Sequence, residues 1–215
     1  MKRKDRKIRG FYFITDSHLS RAGNFSDVKS ALQAGVQVIQ YRHKFYGTKE
    51  MYAQALKLRR LCQEAIFLVD DRVDIAQAVD ADGIHLGQED IPCAVARKVL
   101  GKDKIIGVTV HSLKEARAAQ KSGADYLAVG PIFRTLTKKN PRSPVGTGLI
   151  KKIKKEISLP VVAIGGINLA NAAAVIDARA DGLCAISAVV TRPNVKKEVE
   201  KFQRLFKEKR GRRCS

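Results

Sequence analysis

The chain has 215 residues, 45% of them hydrophobic, and a formal net charge of +20; that is enough for one sizeable core and too little for two comfortable domains. No run approaches the roughly 18 apolar residues of a membrane span, and the basic opening stretch does not read as a signal peptide. Four cysteines, Cys62, Cys93, Cys184 and Cys214, form no C-x-x-C pair, which argues against a disulfide framework or a zinc site and points to a reducing cytoplasm.

The basic residues gather at the ends. Residues 1–10 carry six bases against one acid and residues 207–213 five against one, so the ends hold +9 of the +20. Charge runs near termini are ordinarily solvated, and the expected division is a basic extension over 1–9, a catalytic domain over 10–206 and a basic tail over 207–215. The remaining +11 favours anionic ligands.

Along the chain, short β-rich apolar runs recur at 11–15 (FYFIT), 36–41 (VQVIQY), 66–69 (IFLV), 83–86 (GIHL), 105–110 (IIGVTV), 125–129 (DYLAV), 160–164 (PVVAI) and 182–187 (GLCAIS). Helical stretches separate them. Residues 48–63 place Met51, Ala55, Leu58 and Cys62 at helical spacing, and 112–122 do the same with Leu113, Ala116 and Ala119. Ser112 with Glu115 reads as a capping box, and Thr48 precedes the Lys49-Glu50 first turn. Eight strand–helix units with such short connections predict parallel strands and a single α/β domain, a closed (β/α)8 TIM barrel. The one long strand-to-helix connection, 130–146, is rich in Gly, Pro, Thr and base and is the first candidate for a lid.

In such a barrel the residues just past each strand's carboxyl end face the active site. After the second strand, alternation puts Gln40, Arg42 and Lys44 on one face and Tyr41 and His43 on the other; two cations on one face suit a phosphate or diphosphate. The third and fourth strands end in Asp70-Asp71-Arg72 and Gly87-Gln88-Glu89-Asp90. Carboxylates on adjacent tips can hold magnesium with waters and phosphate oxygens, or can pair with Arg42, Lys44 or Arg72. Thr135, Thr137 and Lys138 follow the sixth strand, Gly165-Gly166 follow the seventh, and the eighth ends in Ile186-Ser187, beside the loops where barrels of this kind bind phosphate; the paired glycines are expected at a helix start. Gly146-Thr147-Gly148 lacks the rest of a dinucleotide fingerprint and reads as a turn before the sixth helix. His85 is expected as a packed barrel residue, His18 in the first loop, and His111 either lining the pocket or bonded structurally.

Read together, these tips resemble the thiamine-phosphate synthase (thiamine-phosphate pyrophosphorylase) family from Phe11 to about Phe206. The carriers are QYRHK at 40–44, DDRVD at 70–74, ADGIHLGQED at 81–90, GPIFRTLTK at 130–138, AIGGIN at 163–168 and AISA at 185–188. The resemblance implies a transferase that joins a hydroxymethylpyrimidine diphosphate to a thiazole phosphate, or its carboxylated form, releasing pyrophosphate. It implies that Gln40, Arg42, Lys44, Asp70, Thr109 and Lys138 hold the pyrimidine diphosphate, that Asp71 and Asp90 bind Mg2+, and that Thr135, Thr137, Gly166, Ile186 and Ser187 hold the thiazole phosphate. The catalytic cations would be Arg42, Lys44 and Lys138, neutralising the departing diphosphate. The sequence departs from the commonest family pattern at His43, where glutamate is usual, at Asp70, where asparagine is usual, and at Thr109, where serine is usual.

Two other readings stay open. A related thiazole tautomerase carries a histidine after the sixth-strand glycine, where this chain has Pro131. A basic phosphate- or nucleic-acid-binding module would use the charge itself, but only 6% of residues are aromatic and none is tryptophan, so stacking surfaces are scarce. Phosphorylated small molecules are the expected partners, with no membrane and no nucleic acid, and homo-oligomerisation is left open.

Overall fold

In the computed structural model, residues 8–44, 47–135, 137 and 142–211 are described, with 210 and 211 described by their backbone alone. Eight strands run β1 (Gly10–Ile14), β2 (Val38–Tyr41), β3 (Ile66–Asp70), β4 (Gly83–Leu86), β5 (Ile105–Val110), β6 (Tyr126–Val129), β7 (Val161–Ala163) and β8 (Gly182–Leu183). Each pairs in parallel with the next, and β8 returns to β1 through Gly10 opposite Gly182, closing the barrel. The alternating order of strands and helices read from the sequence is thus the architecture observed.

Between the strands lie α1 (Asn24–Gln33), α2 (Thr48–Leu61), α3 (Val73–Ala78), α4 (Cys93–Leu100), α5 (Leu113–Lys121), α6 (Gly146–Glu156) and α7 (Ala172–Asp177), and after β8 come α8 (Ser187–Val190) and α9 (Val195–Gly211). The glycines at 146 and 148 form the first turn of α6 rather than a turn before it. Ser112 caps α5 by accepting from the Glu115 N–H at 3.1 Å, while Glu115 reaches past Ser112 to accept from the N–H of His111 at 2.6 Å. Ile8 is buried at the amino end of the barrel, and α9 continues through 207–211.

Strand alternation divides the core in two. Phe11, Phe13, Ile39 and Tyr41 point outward beneath the helices, with Phe11 stacked on Phe202 of α9 at 5.0 Å. Tyr12, Ile14, Val38, Leu68, Tyr126 and Val162 fill the barrel interior, which is therefore packed and not a pore. Gly107 makes this filling possible, since a Cβ there would lie 2.0 Å from the Tyr126 ring.

A recurring ionic stitch holds the amino ends of the strands. Asp82, Asp125 and Asp181, each just before an even-numbered strand, accept at 2.8 Å from the N–H of Phe67, Ile106 and Val161 respectively. Each also meets a base from the helical layer: Arg59 at 3.9 Å, Arg97 at 2.5 Å and Lys154 at 2.8 Å. Asp82 is the most buried of the three carboxylates. Truncating it leaves the Phe67 amide without its acceptor and a guanidinium without its counter-charge. Asp82→Ala is expected to lower the unfolding free energy by about 2–3 kcal/mol, read from the urea midpoint; a change near zero would show that the stitch contributes nothing.

Candidate active site

The carboxyl ends of the strands surround a pocket of about 330 Å³, within the usual range for small-molecule sites. On the β2–β5 arc it is lined by Gln40, Arg42, Lys44, Asp70, Asp71, Asp90 and Thr109, and on the β6–β8 arc by Thr135, Thr137, Gly166, Ile186 and Ser187. The expected residues therefore converge from positions nearly 150 apart in sequence; Lys138 lies outside the described residues. His43 points away from the pocket, as alternation requires, bonding Ser17 at 3.0 Å and stacking on Tyr41.

The first arc is an interlocked set of charges. Arg42 donates to Asp16 at 2.8 Å and stands 3.8 Å from Asp70, while its backbone is held by the buried hydroxyl of Thr15. Lys44 ion-pairs with Asp71 and lies 3.3 Å from Asp70, and Gln40 donates to Asp70 at 2.6 Å. Burial pushes the Asp70 carboxyl up to about 6, helped by the Asp71 charge and opposed by Lys44 and Arg42. Asp71 is held low: burial opposes ionisation, but hydrogen bonds from Lys44 and Asp90 outweigh it. Asp90 is raised by burial and by Asp71, while its other bond, from the Gly87 N–H at 2.6 Å, acts in the opposite direction. Asp71 occupies the left-handed region, φ 60, a conformation aspartate tolerates better than most residues.

Both sequence readings of these acids thus have a physical basis. They are ion-pair partners of Arg42 and Lys44, and Asp71 and Asp90 also bring two carboxylates together. Arg72 turns away, to Asp74 at 2.5 Å and Thr48 at 3.1 Å.

The second arc is built from backbone and hydroxyls. Thr135 and Thr137 place their hydroxyls 3.3 Å apart. Gly165 and Gly166 have φ of 97 and 66, and a Cβ on either would strike Pro131 at 2.6 Å or the Arg134 carbonyl at 2.3 Å. These glycines do not sit at a helix start as expected: α7 begins at Ala172, and their demand for small size comes from the loop after β6, whose Phe133 N–H donates to Gly165 at 3.0 Å. Ile186 and Ser187, expected to continue the last strand, lie beyond β8 and lead into α8.

Several lining residues were not expected at the pocket. Tyr12 reaches the pocket from the barrel interior, Arg142 approaches from the long loop near Glu115, and His85 is bonded to both Tyr126 and Thr109 at 2.8 Å. His111 also lines the pocket, its Nδ1 against the Gly130 carbonyl, so it combines the two roles considered for it. Asp16, which anchors Arg42, was visible only as the residue that ends an apolar run.

Residues 11–189 match the family model described as thiamine monophosphate synthase. The chain belongs to the thiamine monophosphate synthase family. Among its relatives, the thiamine-phosphate synthase of Methanosarcina mazei is 49% identical over 94% of this chain and 84% of that protein. The one from Methanosarcina barkeri is 52% identical over 89% and 88%. The solved thiamine phosphate pyrophosphorylase of Pyrococcus furiosus superposes with a TM-score of 0.86 at 43% identity, covering 93% of this chain and 96% of that one. The resemblance carried by the six sequence blocks is therefore one of membership. In this member the pocket wall at position 131 is proline, which offers no proton-transferring group where a tautomerase would place histidine.

The acid at position 70 has a measurable signature. Between its ordinary value of 3.8 and about 6, the native state retains a proton that the unfolded chain releases, so stability falls as pH rises through that window. Asp70→Asn removes this penalty. The variant's stability relative to wild type should rise by about 2–3 kcal/mol between pH 4 and pH 7, measured by urea unfolding; a pH-independent difference would show that Asp70 ionises as an ordinary carboxylate.

Proposed function

We propose that this chain is a thiamine-phosphate synthase: it condenses 4-amino-2-methyl-5-(diphosphooxymethyl)pyrimidine with a thiazole phosphate to give thiamine phosphate and pyrophosphate, or with the carboxylated form of that thiazole to give the same products and carbon dioxide. The observation that carries this reading is a single pocket with two chemically different arcs. One carries cations interlocked with acids for a diphosphate and its counter-ion, and the other carries hydroxyls and glycine backbone for a monophosphate. Its small concave form suits small phosphorylated molecules better than a nucleic-acid strand, and we place the reaction in the cytoplasm.

In this reading Arg42 and Lys44, with Lys138, receive the diphosphate, and Gln40 and Thr109 orient the pyrimidine. Thr135, Thr137, Gly166, Ile186 and Ser187 hold the thiazole phosphate. The bond from the pyrimidine methylene carbon to the diphosphate oxygen breaks and its electron pair leaves with pyrophosphate; the thiazole nitrogen lone pair then forms the new C–N bond to that carbon. No protein base is required. Arg42 is fixed by Asp16 and Thr15 before any ligand arrives, so its charge needs little reorganisation as the leaving group develops negative charge.

Mg2+ fits Asp71 and Asp90. Two hard carboxylates, with no cluster of three or more His, Cys, Asp or Glu ligands among the described residues, suit an ion that completes its shell with waters and substrate phosphates. When bound, it would neutralise diphosphate charge. Asp70, buried and readily protonated beside this pair, would support the ion from behind rather than face the diphosphate directly.

The test is thiamine phosphate formation from the two purified substrates. Product should depend on added Mg2+ and fall on the order of 100-fold in Asp90→Ala and comparably in Lys138→Ala, with circular dichroism confirming the fold. Folded wild-type protein that makes no product would overturn the reading.

A further inference from the structure

Four side chains from four strands form an unbroken hydrogen-bonded line across the barrel interior. Tyr12 Oη of β1 lies 2.7 Å from Tyr126 Oη of β6, which lies 2.8 Å from His85 Nδ1 of β4; His85 Nε2 is in turn 2.8 Å from Thr109 Oγ1 of β5. Three of the four sit where side chains are closely confined: Tyr12, Tyr126 and His85 are buried, whereas Thr109 is half-buried and faces the pocket. Gly107 leaves the space that the Tyr126 ring fills, and Gln88 donates to the Thr109 carbonyl at 2.6 Å, so both ends of the Thr109 unit are held.

Proton counting gives this line a direction. Burial raises both phenols above their ordinary range, so each keeps one proton to donate. If His85 carries its proton on Nε2, Tyr12 donates to Tyr126, Tyr126 donates to Nδ1, and Nε2–H donates to Thr109 Oγ1. Every buried donor then has an acceptor, and the one proton left over is that of the Thr109 hydroxyl, at the pocket wall. With the proton on Nδ1 alone the line runs backwards: Thr109 donates inward to Nε2, and the spare proton falls on Tyr12, the more buried end. Leaving a donor unpaired is less costly at the open end than at the buried one.

We propose that Tyr12, Tyr126 and His85 act as positioning residues, a directed relay that makes the Thr109 hydroxyl a hydrogen-bond donor to an acceptor atom of the pyrimidine diphosphate. The ligand assignment rests on the synthase reading above; the direction of the relay does not. Its effect is selective, because Thr109, the pocket end of the line, belongs to the pyrimidine-diphosphate arc.

The experiment has two arms. In protein labelled with 15N-histidine, long-range 1H–15N spectra report the tautomer of each of the four imidazoles, with His85 assigned by its loss in His85→Gln. The expected result is a protonated Nε2 in wild type, unchanged in Tyr12→Phe because Tyr126 still donates to Nδ1. An Nδ1–H tautomer in wild type overturns the proposal, and this outcome can be read whether or not the protein has synthase activity. In steady-state assays, Tyr126→Phe should raise KM for the pyrimidine diphosphate by about five- to tenfold while leaving KM for the thiazole phosphate within twofold. Thr109→Val should do the same, and Thr109→Ser, which keeps the hydroxyl but lacks the methyl group, should recover most but not all of that loss. Equal losses for both substrates in Tyr126→Phe would indicate a packing role and sink the relay, whereas absence of product in folded wild type would count against the synthase reading and leave the spectroscopic arm to decide the relay.

Discussion

Parallel strands that close on themselves have no edge, and this constraint governs the rest of the molecule. Once Gly10 pairs with Gly182, every strand tip has two fixed neighbours, so residues on β2, β3 and β4 meet although long stretches of chain separate them. Closure must be secured at the amino ends if the carboxyl ends are to carry mutually repelling charges. The aspartates before β4, β6 and β8 do this, each tying a backbone amide of the preceding strand to a helix-borne base. Stability and chemistry are thereby placed at opposite ends of the same eight strands.

At the chemical end, the balance of charges is close. Lys44 serves both Asp70 and Asp71, and Arg42 is shared between Asp16 and Asp70. Arg42 is thus anchored from the first loop, where the diphosphate cannot displace its partner without breaking the Asp16 contacts to the His18 and Leu19 amides. Lys44 has no such anchor and is the more exposed of the two. In the proposed synthase, its bond to Asp71 would be the one a diphosphate and a cation divide between them: phosphate oxygen would replace the carboxylate at the lysine, and the cation would replace the lysine at the carboxylate. The two events favour each other, which is a reason for metal and diphosphate to bind together.

Much of this was legible in sequence because it depends on periodicity. Alternation alone separated Gln40, Arg42 and Lys44 from Tyr41 and His43, and short apolar runs marked the eight strands. What sequence could not show depends on contacts across the barrel. Asp16 looks like the end of an apolar run until Arg42 is found beside it, and His85 looks like core filling because its two partners lie 24 and 41 residues away. The glycine pair was read as a helix start, but no helix begins there, and the atoms that demand small residues belong to the β6 loop. The aspartates before β4, β6 and β8 follow alanine in each case, at Ala81, Ala124 and Ala180, a repeat that carries a structural signal without revealing its partners.

The two departures from the common family pattern that face the pocket, Asp70 and Thr109, are opposite cases of the same physics. A carboxyl at 70 adds an ionisable group where burial disfavours charge, and the surroundings compensate with Gln40, Lys44 and Arg42. A threonine at 109 keeps the hydroxyl of serine and adds a methyl group, which restricts rotation about χ1. Where a hydroxyl must accept from His85 on one side and donate into the pocket on the other, fewer rotamers mean less orientational entropy lost when the substrate binds. The substitution at 109 is therefore compatible with the relay in a way that the loss of the hydroxyl would not be, and the methyl group strengthens the directional role that Tyr126 and His85 impose from beneath.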